Sequence, residues 1–146
     1  IAGDDAEVRG VESVGEYGDI AVSAIACARK TSGVVVASGE TDVVATDEHA
    51  YRVHTGHEMM GNVVGTGCML GVTLAVFAAA VDDPLDAALV GTAAYGLAGE
   101  MAADGAFGEY HGPASYRTSF LDAVAGLAGV DSPSLSSRIE RVEVRP

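Results

Sequence analysis

Residues 69–81 are apolar on every side of any helix they form, and that run constrains the chain more than any other. A helix without a polar face has to be enclosed by other elements, so its expected place is the buried centre of a layered fold. Directly ahead of it stand Gly65, Thr66, Gly67 and Cys68. The first N–H groups of a helix lack intrahelical partners and carry the positive end of the macrodipole, which makes them natural ligands for anion oxygens. Gly65 and Gly67 let a ligand reach the main chain with no Cβ in the way, and Thr66 adds a hydroxyl donor. Gly65, Thr66 and Gly67 are therefore the candidate anion hole. Cys68 lies in the same field, where a sulfur that accepts a proton serves as general base. An anion cradle beside a base is the minimum that phosphoryl transfer requires of a protein. The competing reading of Cys68 is an inert, buried small hydrophobe.

The remaining pattern indicates an α/β fold. Residues 19–30 place Ile20, Ala21, Ala24, Ile25 and Ala28 near helical spacing, with Gly18 or Asp19 as N-cap and Gly33 past the end. Residues 34–37 form a continuous β-branched run, as in a strand covered on both faces. Residues 41–46 and 50–55 flank the polar pair Asp47-Glu48 and predict a hairpin. Asp83 as N-cap and Pro84 at the first helical position open a helix to about Ala103. Pro113 opens another, with Phe120, Leu121, Val124 and Leu127 on one face and Gly129 beyond it. Residues 138–145, with Ile139, Val142 and Val144, predict a last strand, and residues 131–137 a polar loop. Apolar residues make up 49% of the 146, aromatics only 5%, and glycines number 19, so the core is built of Ala, Val and Leu. That favours helices packed closely on a sheet within one domain. The chain starts at Ile1 in a loop-like segment, and a preceding part is expected.

Net charge is −13, from 21 acidic and eight basic residues, with Lys30 the only lysine. Nucleic acid and anionic membrane both require basic clusters, so neither is an expected partner. A residue 69–81 helix is also shorter than the roughly 20 residues of a membrane span. Nucleotide phosphates would have to be held by local donors and a cation. Such acidity fits a saline cytoplasm, because repulsion is screened once the Debye length falls to about 3 Å near 1 M salt; the plain alternative is a solvated acidic surface. Cys27 and Cys68 form no disulfide framework of the secreted kind, and the expected location is cytoplasmic.

Other chemistry-bearing residues have simpler roles. His54 and His57 with Glu58 match no zinc spacing, and shaping a loop is the expectation for them. His49 and His111 are placed at the surface. Met59 and Met60 fill a pocket or core, and Cys27 packs on an apolar helix face. Tyr95 and Tyr116 pack between helices with a polar tip. Glu100 is unusual in an Ala/Gly/Leu-rich helix and carries no role that its position alone defines.

Several blocks occur in one order: Arg9-Gly10-Val11-Glu12-Ser13, the strand and turn from Val34 through Ser38-Gly39-Glu40-Thr41, and Gly56-His57. Gly65-Thr66-Gly67-Cys68, Tyr95-Gly96-Leu97-Ala98-Gly99-Glu100 and Gly112-Pro113-Ala114-Ser115-Tyr116 follow. Together they resemble the C-terminal part of hydroxyethylthiazole kinases, in the ribokinase-like superfamily. The Gly-Thr-Gly-Cys run is the most discriminating, because most of the superfamily has Asp where Cys68 stands.

The resemblance implies a ribokinase-like layered α/β fold, with residues 1–146 as the C-terminal part of one kinase domain whose N-terminal half is absent. It also implies ATP-dependent phosphorylation of the hydroxyl of 4-methyl-5-(2-hydroxyethyl)thiazole in thiamine salvage, with Mg²⁺ on the phosphates and a homotrimer in the complete protein. Cys68 would be the catalytic base, Gly65 to Cys68 the cradle of the moving phosphoryl group, Gly65 also a thiazole contact, and Ser38 an ATP contact where the family usually has Thr. Asn62 and Val64 depart from the family's Lys and Thr. An ATP-contacting Arg, the acidic residues around magnesium and much of the thiazole pocket belong to the first half of the family's chain, so no metal ligand is expected in this one, nor does the resemblance imply that it is active alone. Two alternatives stay open: another ribokinase-like small-alcohol kinase, such as a pyrimidine kinase, against which Cys68 argues; and a non-catalytic half-domain acting as an assembly or anion-binding subunit.

Overall fold

Local chemistry sets most element boundaries in the computed structural model, which describes residues 7–9, 12–14, 20–127 and 135–143. The elements are β1 (Glu7–Arg9), β2 (Glu12–Val14), α1 (Ile20–Thr31), β3 (Val35–Ala37), β4 (Asp42–Ala45), β5 (Ala50–Val53), a 3-10 turn (Glu58–Asn62), α2 (Thr66–Ala80), α3 (Pro84–Ala103), α4 (Pro113–Ala125) and β6 (Ile139–Val142). The expected hairpin forms: Thr46 N–H donates to His49 O at 2.8 Å, and the Thr46 hydroxyl accepts from the Glu48 and His49 amides. That turn sets the antiparallel register of Asp42 on Val53 and Ala45 on Ala50. Asp83 caps α3 as expected, its carboxylate accepting from Asp86 N–H at 2.9 Å. At the end of α1 the left-handed residue is Ser32 (φ 52°) rather than Gly33, and the Gly33 amide closes the helix on Ala28 O. The predicted N-cap of α1, Gly129, Val144 and most of the 131–137 loop lie outside the described residues.

The main sheet runs in the order β3-β4-β5-β6, antiparallel throughout, and β1 with β2 forms a separate pair. Period-two alternation divides its side chains between two layers. Val43, Ala45 and Ala50 face α1 and join Ala21, Ala24 and Ile25. Val44 and Val53 face α3 and join Ala88, Leu89, Ala93, Ala94 and Leu135. A third cluster of Leu70, Tyr95, Ala98, Ala102, Tyr116, Phe120 and Ala123 knits α2, α3 and α4 together. The layers are thus α1, sheet and α3, with α2 and α4 packed against α3. No helix among the described residues is long and apolar enough to cross a membrane.

Two packing expectations need correction. The apolar helix over 69–81 forms as part of α2, but it is not central: Leu70 is its one buried residue, and Val72 and Val76 are 69% and 64% exposed. Among the described residues its neighbours cover only the side facing α3, where Leu74 and Phe77 pack on Gly91. On α4 the buried face is Tyr116, Ser119, Phe120 and Ala123, and Leu121 points out. The stripe is rotated because Tyr116 and Phe120, one turn apart, both reach towards α3.

Two helix-interior glycines separate propensity from packing. A Cβ on Gly71 would meet nothing within 4 Å, whereas one on Gly96 would lie 2.3 Å from Thr55 Oγ1 and 2.8 Å from the Thr55 carbonyl carbon. In chemical denaturation Gly71→Ala should therefore stabilise the chain by up to about 1 kcal/mol. Gly96→Ala should destabilise it by about 1–3 kcal/mol. Equal effects would contradict the packing described.

Candidate active site

Helix α2 begins without a side-chain cap, and its N-terminus is the centre of the site. Its N-cap is Gly65, in the left-handed region at φ 99°, where a side chain would be strained. Among the described residues no acceptor engages the amides of Thr66, Gly67 or Cys68; the first closed bond of the helix is Met69 N–H to Gly65 O at 2.9 Å. Gly67 and Cys68 are exposed, so three unpaired donors and a thiol stand together at the positive end of α2. Cys68 is not the enclosed hydrophobe of the alternative reading.

Ser38 is brought to the same place from the other side. It follows β3, and its hydroxyl oxygen would lie 3.8 Å from a Cβ on Gly67. Asp42 holds this turn, its carboxylate accepting from Gly39 N–H at 2.9 Å. Burial pushes the Asp42 carboxyl above its ordinary value, partly opposed by that hydrogen bond. Of the five predicted residues, Gly65, Thr66, Gly67 and Cys68 are contiguous and Ser38 joins them through space. The role of Thr66 changes, however. Its hydroxyl donates to Met60 O at 3.1 Å, with Val63 O at 3.3 Å, so Thr66 offers an anion its amide and not its side chain.

The glycine run is held by α3. Tyr95 donates its hydroxyl to Thr66 O at 2.7 Å, and burial first, then the neighbouring Tyr116 and Asp42, keeps its proton on. Tyr116 donates to Gly99 O at 3.0 Å, and burial raises its pKa to about 12. Gly96 and Gly99 let the segment leaving β5 lie against α3, with Thr55 over the first and Met60 sulfur over the second. Glu100 now has a role: its carboxylate accepts from Gly56 N–H at 3.1 Å and pairs with Arg138, whose Nε also donates to His54 O at 2.7 Å. Gly56 sits at φ 120°, and the bend leads into the 3-10 turn that delivers the glycine run. His54 and His57 are engaged separately, His54 with Glu140 at 2.9 Å and His57 as acceptor for Met59 N–H.

The Tyr95 and Arg138 contributions escape sequence reasoning, because each depends on a partner far along the chain, and only Glu100, an acid in an apolar helix, signals that a partner exists. Asp42 bonds locally to Gly39, and its place in the turn was not read from the sequence. No cluster of three or more His, Cys, Asp or Glu side chains among the described residues could hold a metal ion.

The Asp42 carboxyl yields a pH test. Its folded pKa lies above the unfolded one, so its contribution favours folding in acid and is lost as pH rises through the folded value. Asp42→Asn keeps an oxygen for Gly39 N–H and removes the titration. The melting temperature of the variant relative to the parent should therefore climb as pH rises above the ordinary carboxylate range; a constant difference would contradict the assignment.

Comparison with known proteins supplies the family. The hydroxyethylthiazole kinase family model matches residues 1–129. The chain is 64% identical over 145 residues to the hydroxyethylthiazole kinase of Natronomonas pharaonis, covering 97% of this chain and 51% of the relative. Against the hydroxyethylthiazole kinase of Haloquadratum walsbyi the identity is 59% over 147 residues, with 97% and 50% covered. The solved structure of a hydroxyethylthiazole kinase protein from Pyrococcus horikoshii OT3 aligns with a TM-score of 0.72 and 26% identity, covering 86% of this chain and 47% of that one. The chain spans about half the length of the curated relatives it matches. A match from residue 1 to 129, together with these identities, places the chain in the hydroxyethylthiazole kinase family.

Proposed function

We propose that this chain is the C-terminal part of a kinase that phosphorylates the hydroxyl of 4-methyl-5-(2-hydroxyethyl)thiazole with ATP, and that it carries the transfer centre. The carrying observation is the exposed Cys68 thiol beside three helix amides that no described residue accepts from. In the proposed reaction the amides of Thr66, Gly67 and Cys68 bind the equatorial oxygens of the moving phosphoryl group, where charge gathers in the transition state. Cys68 in its thiolate form takes the proton of the substrate hydroxyl and becomes the thiol, while the hydroxyl oxygen bonds to the γ-phosphorus as the bond to the β–γ bridging oxygen breaks. Ser38, against Gly67, donates to the nucleotide phosphates, and Gly65 offers a bare main chain to the thiazole. Val64, 77% exposed, adds an apolar surface beside it.

Magnesium would screen the phosphates when bound. The family resemblance puts its ligands in the first half of the family's chain. The trimer and the rest of the thiazole pocket likewise rest on the resemblance. The acidity of the chain supports assay in molar KCl.

In the complete enzyme, Cys68→Ser should lower turnover by about 10²–10⁴-fold while ATP binding stays within about twofold. Gly67→Val, which puts a branched side chain into the cradle and against Ser38, should weaken both. Steady-state kinetics and nucleotide titration check the pair; unchanged turnover for Cys68→Ser would remove it as the base.

A further inference from the structure

We propose that Tyr95 is a positioning residue of the anion hole and acts through the Thr66–Gly67 peptide: its hydroxyl bonds the carbonyl of that unit and thereby aims and strengthens the amide on the other side. The inference deepens the kinase reading of the glycine run and rests on it.

The first observation is which groups share one peptide. The Thr66 carbonyl and the Gly67 N–H belong to a single planar unit and, with no cis bond among the described residues, point in opposite directions. Thr66 opens α2, so the carbonyl points along the helix and the amide out of its start. Tyr95 donates to that carbonyl at 2.7 Å. The Gly67 amide has no acceptor among the described residues, and Gly67 is exposed. A hydrogen bond received at the oxygen draws electron density from the nitrogen, and its N–H becomes a stronger donor. A chain of bonds thus runs from the phenol through the peptide to an anion oxygen.

The second observation is that this peptide needs holding. Gly65, at φ 99°, and Gly67 stand on either side of Thr66, and no side chain caps the helix. Backbone of that kind is permissive unless something outside it fixes the geometry. Two side chains do so. The Thr66 hydroxyl donates to Met60 O, with Val63 O also in reach, and ties the residue to the 3-10 turn. Tyr95 ties it to α3. The phenol is itself fixed, being 3% exposed and edge-on to Phe120 at 5.0 Å between ring centroids. Burial, then the neighbouring Tyr116 and Asp42, keeps its proton available for donation.

The third observation separates this bond from an ordinary clamp. Tyr116 makes a bond of the same type to Gly99 O at 3.0 Å. Gly99 lies inside α3, so the amide of its peptide, that of Glu100, is committed to the helix ladder. Polarising that peptide reaches no ligand. Tyr95 holds a peptide whose amide is free.

The test compares Tyr95→Phe with Tyr116→Phe in the complete enzyme. Each deletes one phenol oxygen from the same core cluster. Labelling threonine with carbonyl ¹³C and glycine with ¹⁵N selects Thr-Gly peptides, of which this sequence has two, 55–56 and 66–67. In Tyr95→Phe the 66–67 signal should move upfield in both nuclei while 55–56 stays nearly in place; in Tyr116→Phe the 66–67 signal should stay. Inorganic phosphate should bind Tyr95→Phe about three- to tenfold more weakly, the range for one lost hydrogen bond, and Tyr116→Phe within about twofold of the parent. Steady-state kinetics should show kcat of Tyr95→Phe reduced by a similar factor, with KM for the thiazole alcohol within about twofold. Thermal melting verifies that both variants fold. Equal phosphate affinity in parent and Tyr95→Phe, an equal loss in both variants, or an unmoved 66–67 signal in Tyr95→Phe would each overturn the proposal. A parent enzyme in which phosphate leaves the 66–67 signal unmoved would instead contradict the kinase reading, and the inference would fall with it.

Discussion

Close contact between α3 and the segment leaving β5 is the constraint on which the site depends. Thr55 lies over Gly96 at a separation that admits no Cβ there, and the Met60 side chain lies over Gly99. With the segment pressed this close, the Glu100 carboxylate reaches Gly56 N–H and Arg138, and Tyr95 reaches Thr66 O. The exit of β5, the 3-10 turn and the start of α2 are thereby fixed to one helix. The contact carries an opposing term. The hydroxyl oxygens of Thr55 and Thr92 are buried without a partner among the described residues, at roughly 1–3 kcal/mol each. Tyr95, Tyr116 and Phe120 offset it by packing their rings between α3 and α4, Tyr95 edge-on to Phe120 at 5.0 Å.

A single helix, α2, has two surfaces that its neighbours among the described residues leave unfilled. Its N-terminus points three amides at the site, and its outer face leaves valines in water. Left-handed Gly65 explains the first, since it starts the helix with no side chain to cap it. The second follows from the packing, since among the described residues α3 meets only the side of α2 that carries Leu74 and Phe77.

What was legible in the sequence was chiefly local. Thr46 and Asp47-Glu48 encode the hairpin, and Asp83-Pro84 encodes the start of α3, because each completes its hydrogen bonds within a few residues. That Gly65, Thr66, Gly67 and Cys68 open an apolar helix was legible because they are contiguous. Ser38 came only through family resemblance, and the structure sets it against Gly67 from across the fold. Three features were not legible. The Thr66 hydroxyl turns inward because two carbonyls of the 3-10 turn lie within its reach, which no periodicity reveals. The Glu100–Arg138 pair joins residues 38 apart in sequence. The exposure of α2 is the third, because an apolar run specifies burial without naming what performs it.

The central claim is that the start of α2 presents unpaired amides to phosphate. Titrating ¹⁵N-labelled chain with inorganic phosphate while following backbone amide shifts tests it most directly. The account predicts that Thr66, Gly67 and Cys68 move first and furthest, saturate together, and stay still when Gly67 is replaced by Val. Saturable binding that moves other amides and leaves these three unchanged would contradict it.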